Sequence, residues 1–352
     1  MEKEGESAPG PATGRAERPP TIYDVARAAG VSASTVSRAF ARPGRVNAGT
    51  VERVRLVAAE LGYRVNPLAS ALPRGRTSML ALVVSDVTNP VYGEIIRGAE
   101  SAAAEADHVL ILIDAQESVR LERGSLERIL LGVDGVVLAG TRMSDSAIRT
   151  AARRRPVIVL NRDVADVPGI VLDDRHAMRL VAEHLAELGH RDVLYISGPE
   201  ASWVNGMRWS GLREAAAALG QKVQRVGPFV PTVEGGRRAA SALDAGRPTA
   251  ILAYNDQQAI GLMRVLQSRG IRVPHDVSVV GFDDIYPARI VTPGLTTVAA
   301  PLRAQGEAAV TALLSSRSTP VPSRPMTLPV KLIVRGSTGR RRPLRIPPVA
   351  LP

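Results

Sequence analysis

Cysteine is absent from the 352 residues, which excludes disulfides, a thiolate nucleophile and a zinc–thiolate site. Lysine is nearly missing: Lys3, Lys222 and Lys331 stand alone among 45 basic residues, the rest being arginine. Aromatics are few, with two tryptophans, six tyrosines and three phenylalanines, so one that falls near a strand end carries more weight than usual. No run of eighteen apolar residues exists, and nothing is expected to span a membrane. The first nineteen residues are polar and rich in proline and glycine, without an apolar h-region, so no secretory signal is read and the chain is expected in the cytoplasm. The five histidines (108, 176, 184, 190 and 275) lack metal-ligand spacing, and no P-loop, GxSxG or GxGxxG opens a helix after a strand. No metal and no cofactor is expected.

What is present begins with a net charge of +11. A GC-rich genome is its plain alternative explanation, so distribution matters more than the total. Between Pro20 and Arg76 nine arginines face three acids, the local excess expected of a nucleic-acid-binding segment.

That segment contains "DVARAAGVSASTVSRAF", residues 24–40. Ile22, Val25, Ala26 and Ala29 recur at helical spacing, Gly30 supplies a left-handed stop, and Ser32 caps a second helix over about 33–41 with Val36 and Phe40 inward. A third helix follows from Asn47, with Val51, Val54, Ala58 and Leu61 inward and Gly62 as its stop. Two short helices joined by a tight glycine turn make a helix-turn-helix. The outer face of the second carries Ala33, Ser34, Ser37 and Arg38, small enough for a major groove about 12 Å wide. Arg38 suits guanine O6 and N7, a bidentate contact that discriminates by roughly 1–3 kcal/mol. Ser34 suits a base edge, Ala33 a thymine methyl, and Thr35 or Ser37 a phosphate. The bland alternative is a surface helical hairpin.

"VNPLASALPRGRTS" (65–78) follows, with Asn66 as N-cap, Pro67 at the first helical position and Pro73 as a breaker. A helix this short is unstable alone in water. It reads as a linker, and beyond that as a hinge that folds when paired on DNA with a leucine wedged into the minor groove.

From Met79 onward apolar runs alternate with helical segments: "MLALVV", "VLILID", "VDGVVLAG", "PVIVLN", "DVLYIS", "AILAYN" and "VSVVGF". Such runs read as buried parallel strands of βαβ units, an α/β fold. Their polar ends, among them Asp86, Asp114, Asn161, Asn255 and Asp283, mark where a pocket forms in an open α/β sheet.

The run "TIYDVARAAGVSASTVSRAFARPGRVNAGTVERVRLVAAELGYRVNPLASAL" resembles the DNA-binding headpiece of the lac-repressor family of bacterial transcription regulators. "DVTNPVYGEIIRGAE", "LNRDV", "GMRWSGLREA", "YNDQQAIGLMRVLQSRGIRVPHDVSVVGFDDI" and "TPGLTTV" extend the resemblance over nearly all the remaining chain. It implies a three-helix headpiece over about 20–65 and a hinge over 66–78, followed by a two-lobed core similar to periplasmic sugar-binding proteins. The first lobe would take about 79–173 and 300–328 and the second 174–299 and 329–338; composition, independently, leaves 1–19 and 339–352 as expected disordered ends. It implies that Ala33, Ser34 and Arg38 read bases and that Ala69 and Leu72 enter the minor groove, with Leu72 as the wedge. It puts Arg208, Asn255 and Asp283 on a ligand, flanked by Tyr92 and Phe229, with Asp86 and Asn161 in second place. Phe229 has core packing as an equal alternative, and Trp203 either lines the cleft or merely caps a helix. Where the family often has two adjacent aromatics after Asn-Pro, this chain has Val91 before Tyr92. The partners implied are double-stranded operator DNA, a second copy of the chain and a small effector, expected to be a sugar. The expected function is a ligand-switched repressor.

Two rival classes ask for other residues. A periplasmic solute-binding protein needs the core alone and an export signal. A glycosidase needs an acid/base couple, which Asp173–Asp174 and Asp283–Asp284 do not make because adjacent residues leaving a strand point to opposite sides.

Overall fold

A computed structural model describes residues 18–63, 77–241, 248–316 and 324–341. They fall into two compact units, divided between Thr77 and Ser78.

The first unit holds α1 (Ile22–Ala29), α2 (Ala33–Ala41) and α3 (Ala48–Glu60). Helix α1 opens on a capping box: Asp24 accepts from the Thr21 amide at 2.9 Å and the Thr21 hydroxyl at 2.6 Å. Gly30, at φ +66°, closes it in the left-handed conformation. Val25, Val36, Ala39, Val51, Val54 and Ala58 form the core, with Ile22, Phe40 and Tyr63 packed at its margin. Leu61 corrects the expectation of an inward residue. It lies beyond the last helical residue, next to the Gly62 turn at φ +67°, and is 41% exposed.

The second unit has two α/β lobes. The first lobe's sheet runs β11-β5-β4-β3-β1-β2, made from β1 (Met79–Val84), β2 (Val109–Asp114), β3 (Gly135–Ala139), β4 (Val157–Leu160), β5 (Gly169–Leu172) and β11 (Met326–Leu328). All its pairings are parallel. Its helices are α4 (Val91–Glu105), α5 (Val119–Ile129), α6 (Asp145–Ala152) and α12 (Leu302–Ser315). Alternate residues of β1 pack on opposite faces: Leu80, Leu82 and Val84 meet α4 and α12, while Ala81 and Val83 meet α5 and α6.

The second lobe's sheet runs β12-β10-β9-β8-β6-β7. Its strands are β6 (Asp192–Ile196), β7 (Lys222–Val226), β8 (Ala250–Ala253), β9 (Ser278–Asp283), β10 (Thr296–Ala299) and β12 (Lys331–Ile333), the last pairing antiparallel with β10. Helices α7 (Asp174–Glu187), α8 (Trp203–Ala218), α9 (Val233–Ala239), α10 (Asp256–Ser268) and α11 (Tyr286–Ile290) cover it. The chain passes between lobes after β5, after β10 and between β11 and β12. Strand β5 of the first lobe ends at Leu172, and α7 of the second begins at Asp174.

Strand β2 corrects another expectation. Its apolar run reads as buried, but β2 is an edge strand with Val109 64% and Leu112 42% exposed. His190 is buried, bonded to Thr249 Oγ1, Gly339 O and Ser278 Oγ, and His184 reaches Thr338. These bonds, with the Arg341 amide on Leu188 O, dock residues 338–341, and residues 339–341 among them lie where the sequence suggests a disordered tail.

Helices α4 and α12 cross at Gly98 and Gly306, where a Cβ on either would collide with the facing backbone, Arg303 O or Ile95 O. Backbone atoms cannot step aside as a side chain can. Gly306→Ala is therefore expected to cost about 1–3 kcal/mol by overpacking, read as a lowered urea midpoint.

Candidate nucleic-acid interface and ligand cleft

In the first unit, Ser32 caps α2 by accepting from the Thr35 amide at 3.2 Å. Its hydroxyl also meets those of Ser34 at 2.9 Å and Thr35 at 2.8 Å, so three hydroxyls cluster at one helix end. Ser34, Ser37 and Arg38 are exposed, while Ala33 and Thr35 are half-buried. Arg38 makes no ion pair among the described residues, leaving its guanidinium free for an outside acceptor. Tyr23 on α1 is exposed as well and was not singled out from sequence; a phenol on so small a polar surface was its only signal. Ala69 and Leu72 lie outside the described residues.

In the second lobe the cleft is organised by Arg208 on α8. Its Nε donates to Asp174 Oδ1 at 2.9 Å and its Nη1 to the Tyr254 carbonyl at 2.6 Å. Its guanidinium carbon lies 3.4 Å from the centre of the Phe282 ring, a desolvated cation–π contact. Nη2 has no partner among the described residues. Asp283 ends β9 at φ +111°, and its buried carboxyl has no hydrogen bond among them either. Burial pushes that carboxyl up to about 7, with Arg208 opposing and Asp174 adding to the rise. Burial likewise holds Asp174 above its usual range against the pull of Arg208, and Asp174 Oδ2 is sealed without a partner. Asp256, fully buried, accepts from Thr297 Oγ1 at 2.5 Å and the Ile285 amide at 2.9 Å; burial first, then Asp283, raises its carboxyl.

Asn255 is spent internally. It caps α10 through the Gln258 amide at 3.0 Å and donates to Pro231 O at 3.0 Å. Phe229 is half-buried and packs against the lobe's apolar core, while its carbonyl accepts from Gln258. Trp203 is the first residue of α8, half-buried, with Ser202 serving as the cap.

In the first lobe, Tyr92 on α4 is buried, with its hydroxyl 2.7 Å from Ser85 Oγ and against Gly140 at φ +73°, where a side chain would collide with it. Asp86 turns inward on its own loop, accepting from the Thr88 amide and hydroxyl at 2.9 and 2.6 Å. Asn161, at φ +59°, accepts from Gln305 at 2.8 Å. Sequence reasoning missed the pair beside Tyr92. Arg142 forks onto Glu117 at 2.8 and 3.1 Å and donates to Gly140 O at 3.0 Å. Glu117 and its neighbour Gln116 are both in the left-handed region, at φ +54° and +51°, strain that clusters where strand ends meet a functional surface. The phenols of Tyr92 and of Tyr254, across the lobes, both act electrostatically on Arg142. Glu117 and Arg142 follow β2 and β3 as Asp86 follows β1, so the same strand-end rule was open to them.

A groove of about 710 Å³ runs between the lobes beside Asp283, edged by Pro90, Gly93, Arg97, Tyr286 and Pro301. Among the described residues no His, Cys, Asp or Glu cluster is arranged to hold a metal, and no helix is long and apolar enough to cross a membrane. The acid pairs make no catalytic couple: Asp173 caps α7, Asp174 holds Arg208, and Asp284 holds Arg335 and Arg289.

Residues 21–66 match the family described as bacterial regulatory proteins, lacI family, and residues 182–338 match a periplasmic binding protein-like domain. The chain is 34% identical over 330 residues to the HTH-type transcriptional regulator DegA of Bacillus subtilis (strain 168), covering 91% of this chain and 98% of DegA. It is similar in structure to the lac repressor dimer bound to operator and the anti-inducer ONPF, with TM-score 0.82 and 27% identity over 92% of this chain and all of that one. It is also similar to a complex of the transcriptional regulator CelR with cellobiose, with TM-score 0.68 and 29% identity over 90% of this chain and 99% of that one.

Proposed function

The chain belongs to the lacI family of bacterial transcription regulators, and from that premise we propose that it represses by binding a palindromic operator as a homodimer in the cytoplasm, switched by a sugar held between its lobes. The observation that carries the DNA half is α2 itself: a short helix with no large side chain outward except an unpaired guanidinium. Arg38 reads a base, Ala33 and Ser34 share that face, and Thr35 and Ser37 meet phosphate. Ala69 and Leu72 take the minor groove. Against a palindrome selected from random duplexes by the wild type, Arg38→Ala is expected to lose about 1–3 kcal/mol, or roughly tenfold to a hundredfold. Binding to scrambled duplex should hardly change. Equal losses on both DNAs in a gel-shift titration would remove the base-reading role.

One headpiece reads one half-site, so affinity requires a dimer. Exposed apolar residues on each lobe, Val109 and Leu112 on β2 of the first and Tyr286 (72% exposed) and Ile290 (62% exposed) on α11 of the second, support self-association. Leu112→Glu is expected to shift sedimentation from dimer to monomer and to weaken palindrome binding at least about a hundredfold, since two half-site energies no longer add. A dimer of unchanged stability would overturn that role for Leu112.

The ligand half rests on one buried donor and one buried acceptor left unused, Arg208 Nη2 and the Asp283 carboxyl, in a region where polar groups are otherwise bonded. A hydroxyl satisfies both at once. Tyr92 and Phe229 supply flanking rings, and Asp86, Asn161 and Asn255 shape the rim. The site binds and does not turn over its ligand. A ligand that favours one lobe arrangement changes operator affinity by the same factor that operator changes ligand affinity.

A further inference from the structure

The connector from the helix-turn-helix unit meets the core at Ser78, since the two units divide between Thr77 and Ser78. Ser78 is tied by its backbone to the segments ahead of β2 and β3. Its carbonyl accepts from the Val109 amide at 2.9 Å, and its amide donates to Asp134 Oδ2 at 3.1 Å. The Asp134 amide in turn donates to Met79 O at 2.7 Å. Ser78 sits at φ +52°, a left-handed conformation that a residue with a Cβ keeps only where surrounding bonds enforce it. Behind Asp134 stands His108. Its Nδ1 lies 2.6 Å from Ala106 O, and a carbonyl only accepts, so Nδ1 carries a proton and donates. In the neutral ring Nε2 is then a bare acceptor, and it faces a second acceptor, Asp134 Oδ2, at 3.7 Å. Only the imidazolium supplies the proton that this approach lacks. The two side chains are 16% and 6% exposed, so salt screens the pair little. Glu105 and Asp107, exposed on the same turn as His108, are acids as well, and Arg155, ahead of β4, is spent on Leu130 O at 3.2 Å.

We infer that His108 and Asp134 form a proton-operated clamp on Ser78, which fixes the direction in which the connector leaves the core and so raises operator affinity as pH falls. This rests on the reading of the chain as an operator-binding regulator. Nε2 takes its proton from solvent and donates it to the same carboxylate oxygen that holds the Ser78 amide, which pins that oxygen in place. Neither residue touches DNA; both are positioning residues. With the clamp open, Ser78 relaxes into the extended conformation its side chain prefers, and the connector leaves in many directions. An operator held by two headpieces selects the clamped form. The DNA-bound protein therefore binds the proton better than the free protein, and by reciprocity the proton strengthens operator binding.

The test is fluorescence anisotropy of the full-length protein at constant ionic strength, at pH 8 and pH 6, on the selected palindrome and on scrambled duplex. Scrambled duplex carries the general effect of protein charge on phosphate contacts. Beyond that effect, the wild type is expected to gain about tenfold on the palindrome at pH 6, within the usual range of a coupling between two sites. His108→Gln bears no charge at either pH and should match the wild type at pH 8 while losing the gain to within about twofold. Asp134→Asn keeps an oxygen for the Ser78 amide but removes the charge; it should lose the gain as well, and the double variant should lose no more than either single one. Melting temperatures that stay level with the wild type at both pH values mark the loss as one of positioning, whereas affinity that falls only in step with melting overturns the clamp. A palindrome bound equally at both pH values also overturns it, as does a gain that survives in His108→Gln. A wild type that prefers no palindrome at either pH fails the regulator reading itself, and the clamp with it.

Discussion

Asp283→Asn is expected to melt higher than the wild type at pH 8 and to bind its effector at least about tenfold more weakly. The second effect follows from losing a charged acceptor, worth roughly 1.5–3 kcal/mol per hydrogen bond. The first follows from linkage. The Asp283 carboxyl is raised from an unfolded value of 3.8 to about 7, so the folded state binds more protons than the unfolded state between those limits. Stability is lost as pH rises through that window and stays lost above it. The cost at pH 8 is at most about 4 kcal/mol on that shift, and asparagine avoids it while keeping the side-chain shape. The stability difference between variant and wild type should shrink as pH falls and vanish near pH 4. Calorimetry across that range decides the matter: a variant less stable than wild type at pH 8 would mean that Asp283 holds the lobe together instead of waiting for a ligand.

Arg208→Ala acts in the opposite direction and is expected to be the most damaging single change in the core. It removes the only cation that pairs with Asp174 and Asp283 among the described residues and empties the space over Phe282. Breaking one partner out of a buried ion pair costs about 3–5 kcal/mol, a large part of the 5–15 kcal/mol that holds a domain folded. The second lobe should therefore lose cooperative unfolding near room temperature at pH 8 and recover part of it near pH 5, where the stranded carboxyls take up protons. Adding Asp174→Ala to Arg208→Ala should restore part of the loss, because the orphaned charge disappears with its partner. Additive losses in that double-mutant cycle would contradict the pairing.

The headpiece was legible because its signals are local. Gly30, Ser32, Asn47 and Gly62 stop and start helices through bonds to neighbours in the chain, and those positions are where the helices begin and end. The central strands were legible because burial on both faces demands an unbroken apolar run, as in β1 and β3. Strand β7 was not, since an edge strand tolerates the Lys222, Gln224 and Arg225 that hide it. The three-residue strands β11 and β12 are too short to show a period. Leu61 and β2 misled for one shared reason: an apolar side chain states a preference for burial but not whether this chain alone satisfies it.

In the cleft the strand-end rule found Asp86, Asn161, Asn255 and Asp283, but it could not rank them. Asn255 looks as free as Asp283 in sequence, yet its amide is spent on Gln258 and Pro231 while the carboxyl of Asp283 has nothing. Glu117 and Arg142, 25 residues apart, become a pair only when β2 and β3 flank β1 in one sheet. By itself the sequence determined the helix-turn-helix, the α/β class and the side of the sheets on which polar groups gather, because each follows from spacing within one segment. Only the tertiary structure decided which of those groups are already satisfied. Satisfaction is a property of two atoms brought within 3 Å, and most of the deciding partners here come from segments that the chain separates widely.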